Sequence, residues 1–440
     1  MRFPNTFFCL SALCRLLLFV GVFVSGGMLR AAEAEPSRER PMLLANYYTW
    51  YHDGSHPTLA WRGWTRKESE TNPRALAKQR EGEPPPSSAI RPLVGLYDSR
   101  DRAVADWHVA LAKAAGIDAF LVDWWGTHLD RDKNAEQGII AACEAGGLSW
   151  AILDERAQFH HDLDAYAGWV VDAMKRYVSL PHYLKIDGRP VWYLYQVAQN
   201  PGLTPDQFTQ LRRRVEREVG EVYWIVDKIE HDHVEARAGN VAREKRIPDE
   251  WLRVEEVDAF AFYSTFSNFR ADRYEQLVGR YRHLTNLAHR AGKRMMLPVH
   301  PGHDNSYFRD EGDFYVMPRR DGQTLRDYLR AASDAGADYI MITSWNEWPE
   351  STVIEPSADW DDPYHDLRIV AQWRGKDFVP IPPPDGHVIS GSGLHFTLYV
   401  RLQYFRRGLC GCATANGPGR TGYRTGLHAP SVGYCRPPSN

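Results

Sequence analysis

Cysteine is scarce where a core would form. Of the six, Cys9 and Cys14 lie in the N-terminal segment and Cys410, Cys412 and Cys435 near the other end, leaving Cys143 alone between them. A disulfide framework for the body of the chain is therefore excluded, and Cys143, within an alanine-rich helical stretch, reads as a buried thiol. An oxidising compartment would permit a bridge in the tail, with a pairing that spacing does not decide. Excess charge is also lacking: a net charge of -3 implies no domain-wide basic surface, so nucleic acid is not an expected partner. Long apolar runs are missing too. Leu16 to Val24, broken only by Gly21, is too short for a clear membrane span. No Gly-x-Gly-x-x-Gly follows the first apolar run, so nothing favours a nucleotide or other cofactor. From Gly386 onward there is no acidic residue at all.

What is present begins with a secretory pattern. Arg2 supplies positive charge, the apolar run follows, and Ala32-Glu33-Ala34 offers a small-x-small cleavage site. Residues 1–34 are thus expected to be a signal peptide, and the protein secreted or periplasmic; membrane attachment follows only if that segment stays uncleaved. At the other end Pro380, Pro382, Pro383 and Pro384 make a stiff linker. Residues 379–440 are expected to be this linker and a disordered, low-complexity basic tail, with Leu394 to Tyr404 its one candidate strand.

Between them, residues 40–378 carry eight short, nearly continuous apolar runs: Met42 to Trp50, Asp118 to Trp125, Ser149 to Glu155, Pro190 to Gln196, Val222 to Lys228, Asp258 to Ser264, Arg294 to His300 and Asp338 to Trp348. Such runs read as strands buried on both faces. Arg102 to Ala115, Leu163 to Val178, Pro205 to Val219, Arg273 to Gly292 and Gly322 to Gly336 have helical periodicity, and several stop at a glycine suited to a C-cap. The alternation predicts an α/β fold, a (β/α)8 TIM barrel, with a doubly wound open sheet as the competitor.

A barrel gathers its chemistry at strand C-termini. Those ends hold Tyr48, Trp50 and Tyr51; Asp123, Trp124 and Trp125; Asp154 and Glu155; Gln196; Asp227 and Lys228; Tyr263; His300 and His303; Glu347 and Glu350. With 15 Trp and 22 Tyr in the chain, such ends compose a sugar-binding cleft. The densest stretch is Ile342-Thr343-Ser344-Trp345-Asn346-Glu347-Trp348-Pro349-Glu350-Ser351-Thr352, where Pro349 stops the strand and keeps Trp348 extended. Two acids beside aromatic platforms suit glycosidic cleavage: one protonates the leaving oxygen, the other acts as base or nucleophile. The competing reading is a polar turn with solvated acids.

Five segments together resemble glycoside hydrolase family 99, the endo-acting α-mannosidases, and the related family-99-like domains of polysaccharide-processing proteins. They are Asn46 to Tyr51, Gly95 to Ser99, Gly116 to Phe120 with Trp124-Trp125-Gly126, Tyr183 to Pro190, and Thr343 to Pro356. The resemblance spans roughly residues 42–375. It implies a (β/α)8 barrel and hydrolysis with retention through a 1,2-anhydro sugar. Glu347 would be base toward the sugar's own 2-hydroxyl and Glu350 the general acid, then the base on water. Trp125 matches a sugar-subsite aromatic; Tyr48 and Tyr263 would line the cleft and Glu155 hold a hydroxyl, with Asp154 as its alternative. Asn346 and Trp348, within the acid motif, are expected to contact substrate. Pro349-Glu350-Ser351 departs from the family's usual His-Glu-Gly, which leaves open a different substrate or a carbohydrate-binding or assembly role with little hydrolysis. A neighbouring α-1,3-glucanase type would differ in substrate alone.

Histidine-bearing stretches at His160-His161-Asp162, His231-Asp232-His233 and His300 to Asn305 have no recognised metal spacing. No metal is expected, and His303 and Asp304 are read as sugar-binding or loop residues. The expected partner is a polysaccharide or oligosaccharide, bound by a monomer.

Overall fold

The computed structural model describes residues 40–55, 61–126, 130–158, 162–195, 202–227, 247–264, 274–310 and 313–385. The expected signal peptide, most of the tail, Gln196, Lys228, His160, His161, His231, Asp232 and His233 lie outside them. Eight parallel strands close on themselves: β1 Met42–Tyr47, β2 Ala119–Trp124, β3 Ser149–Asp154, β4 Arg189–Leu194, β5 Tyr223–Asp227, β6 Ala259–Ala261, β7 Arg294–Val299 and β8 Tyr339–Ile342. Each pairs with the next in sequence, and β8 returns to β1 with Leu43 beside Ile340. Helices fill the crossovers, among them Arg102–Ala115, Leu163–Tyr177, Pro205–Val219, Tyr274–Arg290 and Gln323–Asp334. This is the (β/α)8 barrel that the eight runs predict.

The strands are buried on both faces because the barrel interior is packed and the outer face is covered by helices. Leu43, Leu44, Phe120, Trp192, Ile225, Phe260, Leu297 and Ile340 have no exposed surface. One device recurs at the N-terminal end. Asp118, Asp258 and Asp338 each stand just before a strand, and their carboxylates accept the amides of Leu43, Trp224 and Met295 at 2.7, 2.9 and 2.8 Å. A strand's first amides face the barrel rim without a ladder partner, so an acid there satisfies them. These acids belong to stability, on the face away from the strand C-termini.

Local punctuation works as the residue types dictate. Asp101 caps Arg102–Ala115 by accepting from Ala103 N and Val104 N, and Gly116 ends it in the left-handed region at φ 82°. Asp187-Gly188, both at positive φ, turn Lys185–Ile186 back onto β4 as a tight hairpin. The proline-rich stretch is fastened at its start, since the Ile381 carbonyl accepts from Trp107 Nε1 at 2.8 Å and Tyr364 OH at 2.7 Å. Among the described residues no helix is long and apolar enough to cross a membrane.

Candidate active site

β8 ends at Ile342, earlier than its apolar run suggests, and both acids lie beyond the strand. Pro349 therefore does not stop the strand, and Trp348 is not extended. Trp348–Glu350 form a single 3-10 turn with Glu347 as its N-cap residue. The loop is held by bonds within itself and by one to β1, some three hundred positions away. Trp345 N donates to Asn46 O at 2.8 Å, Ser344 N donates to Thr352 O at 2.7 Å, and Ser344 Oγ accepts from Glu347 N at 2.7 Å. Such closure of the loop on itself and on β1 fixes where the two acids point.

Asn346 and Trp348 do not contact the cleft, which corrects the expectation that both bind substrate. Asn346 is wholly buried; its Oδ1 accepts from Tyr48 N at 2.7 Å and its Nδ2 donates to Tyr48 O at 3.0 Å and Tyr97 OH at 3.1 Å. Trp348 is also wholly buried and donates from Nε1 to Glu355 Oε2 at 3.0 Å. Glu355 accepts Tyr97 OH at 2.9 Å on the same oxygen, while its Oε1 lies 3.2 Å from His108 Nε2. Neither indole of Trp345 or Trp348 has exposed surface, so neither is a sugar platform. They position the acids from beneath.

Above this floor the remaining expected residues converge. Tyr263 OH donates to Glu347 Oε2, and Tyr48 OH lies 2.5 Å from Tyr263 OH. Burial pushes the Glu347 carboxyl up, while the Tyr263 bond, the Arg66 charge and Tyr48 hold it back. Glu350 stands differently. Burial first and the Glu347 charge second push it up to about 8, with only Arg66 and Arg309 opposing from a distance. Both carboxyls are raised, and of the two Glu350, with no donor bonded to it, is the better placed to hold a proton while the Tyr263 bond favours the ionised form of Glu347.

His303 lies in a short hairpin after β7, paired with Met317, and its Nδ1 is 3.7 Å from Glu350 Oε2. Burial lowers its pKa to about 3, so it faces Glu350 as a neutral ring. Asp304 does turn-forming work, its Oδ1 accepting Ser306 N at 3.0 Å. The hairpin borders an open groove of about 500 Å³ lined by Glu68, Asn305, Phe308, Arg309, Asp310 and Asp313. On the opposite side Glu155 is at the mouth, whereas Asp154 points inward. Asp154 accepts from Tyr166 OH at 2.6 Å, Trp192 Nε1 at 3.0 Å and Arg156 N at 2.8 Å, which leaves Glu155 as the one near Glu347. Burial, then Asp123 and Glu347, push Glu155 well above the usual carboxylate range.

Trp125 is half-buried at the rim, with the Arg131 guanidinium 4.4 Å from its ring centroid. Asp227 is buried, with Tyr193 OH 3.4 Å from its Oδ2. Sequence reasoning gave Asp123 no role and passed over Tyr195 and Arg131. Tyr195 packs edge-on against Tyr263 at 5.1 Å and senses the charges of Glu155, Glu347 and Glu350. Its place just past β4 was the available signal; Arg131, in a crossover helix, had none. Among the described residues no group of three His, Cys, Asp or Glu is placed to hold a metal ion.

A parallel (β/α)8 barrel whose mouth carries two carboxyl groups of unequal surroundings among tyrosines is an arrangement suited to chemistry at a glycosidic bond. The comparisons agree. A family model described as Glycosyltransferase WbsX matches residues 153–367. A glycoprotein endo-alpha-1,2-mannosidase of Xenopus laevis is 23% identical over 364 residues, 77% of this chain and 73% of that protein. A glycoprotein endo-alpha-1,2-mannosidase-like protein of Mus musculus is 24% identical over 368 residues, 75% and 74% of the two. In fold, the structure of the GH99 endo-alpha-mannosidase from Bacteroides thetaiotaomicron superposes with a TM-score of 0.57 at 19% identity, covering 76% of this chain and 96% of that one. A structure described as a glycoside hydrolase-like protein gives 0.54 at 14% identity, covering 78% and 95%. The comparisons thus make the chain similar to glycoside hydrolase family 99 and to family-99-like relatives.

Proposed function

We propose that the protein is a retaining glycoside hydrolase that cleaves α-mannosidic or related α-linked bonds in a polysaccharide or glycan. The observation that carries this reading is the unequal pair on one 3-10 turn: Glu347 held by a tyrosine hydroxyl, Glu350 pushed up to about 8. In the first step Glu347 takes the proton of the sugar's 2-hydroxyl, O2 attacks C1, and Glu350 gives its proton to the departing oxygen. The C1–O bond to the leaving group breaks as the 1,2-anhydro ring closes. In the second step Glu350 takes a proton from water, the water oxygen opens the ring at C1, and Glu347 returns its proton to O2. Two inversions at C1 restore the starting anomer.

The groove beside the hairpin, on the Glu350 side, is where the departing portion of a glycan would lie. Its polar lining and open form suit a leaving group that is itself a sugar chain. Export follows from the N-terminal pattern and belongs to the same proposal. A second reading draws on the family model's description, which names glycosyl transfer: the same pair would then pass the sugar to an acceptor hydroxyl in place of water.

The test is a panel of α-mannans and α-glucans with the purified protein, product anomers followed by proton NMR. Hydrolysis with the α-anomer formed first is expected. A β-anomer formed first overturns the 1,2-anhydro route, and glycan binding without new reducing ends favours the second reading.

A further inference from the structure

Glu347 is aimed by the Tyr263 hydroxyl, whereas among the described residues no donor is bonded to the Glu350 carboxyl. The direction of Glu350 therefore depends on the backbone that carries it. That backbone is unusual at the next residue. Ser351 closes the 3-10 turn at φ 53°, in the left-handed region that residues with a side chain seldom adopt. Such a conformation persists where surrounding groups hold it.

The hold comes from Arg319, between the hairpin strand Val316–Met317 and the helix Gln323–Asp334. Its Nη2 donates to Ser351 O at 2.7 Å and to Val353 O at 2.9 Å. Both residues are buried in a loop, where a carbonyl needs a partner from elsewhere in the chain. Its Nη1 donates to Oδ2 of buried Asp366 at 2.6 Å, in the first turn of the helix His365–Trp373. The guanidinium also lies 4.8 Å from the Trp360 ring centroid. Its stem crosses Gly302, where an added Cβ would stand 2.6 Å from Arg319 Cγ. Gly302 directly precedes His303, whose ring faces Glu350. One planar fork thus ties together the acid turn, the hairpin and the helix that bears Asp366. Asp366 balances its charge, and the cations that oppose the raised Glu350 are Arg66 and Arg309. What Arg319 supplies to Glu350 is geometry.

We propose that Arg319 is a positioning residue for Glu350: gripping the Ser351 and Val353 carbonyls, with its stem against Gly302, it sets where the acid meets the departing glycosidic oxygen. The proposal rests on the hydrolase reading of the two acids and deepens it. Lysine cannot replace it, because an ammonium is a single point while Asp366 and the two carbonyls are met by two arms of the fork. Glu347 has separate supports in Tyr263 and in Ser344 Oγ, so loss of Arg319 should leave the 2-hydroxyl base in place.

The test is kcat/KM on aryl α-mannosides graded from dinitrophenyl to methoxyphenyl leaving groups, for the unaltered protein, Arg319→Lys and Arg319→Met. Poor leaving groups need the acid and good ones do not. Arg319→Met is expected to lose about tenfold to a hundredfold on the poorest leaving group, the scale of a small misplacement, and almost nothing on dinitrophenyl. Arg319→Lys should show the same selectivity. A merely structural role would lower every member by one factor, through a smaller folded fraction. An even loss therefore overturns the proposal, as does full activity in Arg319→Met. Where both Arg319 variants fail to fold, Gly302→Ala decides, since its methyl displaces the Arg319 stem. The same selective loss is expected, and an even loss or none overturns the proposal. No turnover of any mannoside by the unaltered protein sinks the hydrolase reading and the proposal with it; turnover with even losses sinks the proposal alone.

Discussion

Two sets of acids share one loop and differ in what surrounds them, Glu347 and Glu355 being buried and Glu350 partly exposed. At the mouth, Glu347 has a tyrosine hydroxyl and Glu350 only a neutral histidine ring at 3.7 Å. In the floor, a few residues on, Glu355 is met by Tyr97, Trp348 and His108, and His108 Nδ1 is in turn 2.9 Å from Tyr47 OH. The supply of hydrogen-bond donors separates the two sets. A buried carboxyl that is well supplied with donors becomes a structural anchor, and one that is not must hold or exchange a proton. The floor fixes the geometry in which the mouth does so.

Substitutions in the mouth should strike turnover without unfolding the chain. Glu350→Gln is expected to lower kcat on a glycan with a poor leaving group by about a hundredfold to ten-thousandfold, the usual contribution of a positioned acid. Unchanged near-ultraviolet circular dichroism should accompany that loss; a collapsed spectrum would make Glu350 structural and erase the contrast. In the floor the opposite is expected. Glu355→Ala leaves Tyr97 and Trp348 without their buried acceptor and should cost about 3–5 kcal/mol in denaturant unfolding. A stable Glu355→Ala protein that is merely inactive would place Glu355 with the mouth.

Smaller effects sharpen the distinction. Tyr263→Phe removes the donor that favours ionised Glu347, so the acidic limb of kcat/KM should move up by about one pH unit, with a loss of roughly tenfold. A lost limb position with no shift would give Tyr263 to substrate binding instead. The smallest effect is on stability. Because Glu350 ionises less readily in the fold than in the unfolded chain, the folded state keeps a proton from the ordinary carboxylate range up to about pH 8. The stability this contributes is full at low pH and is lost as pH rises through that window. Thermal midpoints should therefore show Glu350→Gln gaining on the parent as pH rises, by a few degrees. A constant difference across pH would contradict the raised value.

Much of the barrel was legible because a strand covered on both sides must be apolar throughout, and eight such runs recur with helices between them. The agreement at Arg102–Ala115 and Pro205–Val219 reflects caps written locally, Asp101 with Gly116 and the Thr204–Gln207 capping box. The end of β8 was not legible. Its loop is shaped by Asn46, Tyr48 and Tyr51, which approach from the far end of the chain, and apolar Trp345 and Trp348 pack there exactly as strand residues would in composition but not in conformation. Motif membership likewise misled for Asn346 and Trp348. A motif marks residues a site depends on, and here two of them serve it from below. Arg131 had no signal because its meaning lies in two indoles from other segments.

The divided labour of Glu347 and Glu350 is the central claim, and an α-mannoside with a dinitrophenyl leaving group tests it most directly in single-turnover mode. Such a leaving group needs no acid but still needs the 2-hydroxyl base. Glu350→Gln should release about one equivalent of phenolate per site and then slow, whereas Glu347→Gln should release almost none. A burst from Glu347→Gln, or none from a folded Glu350→Gln, would contradict the account.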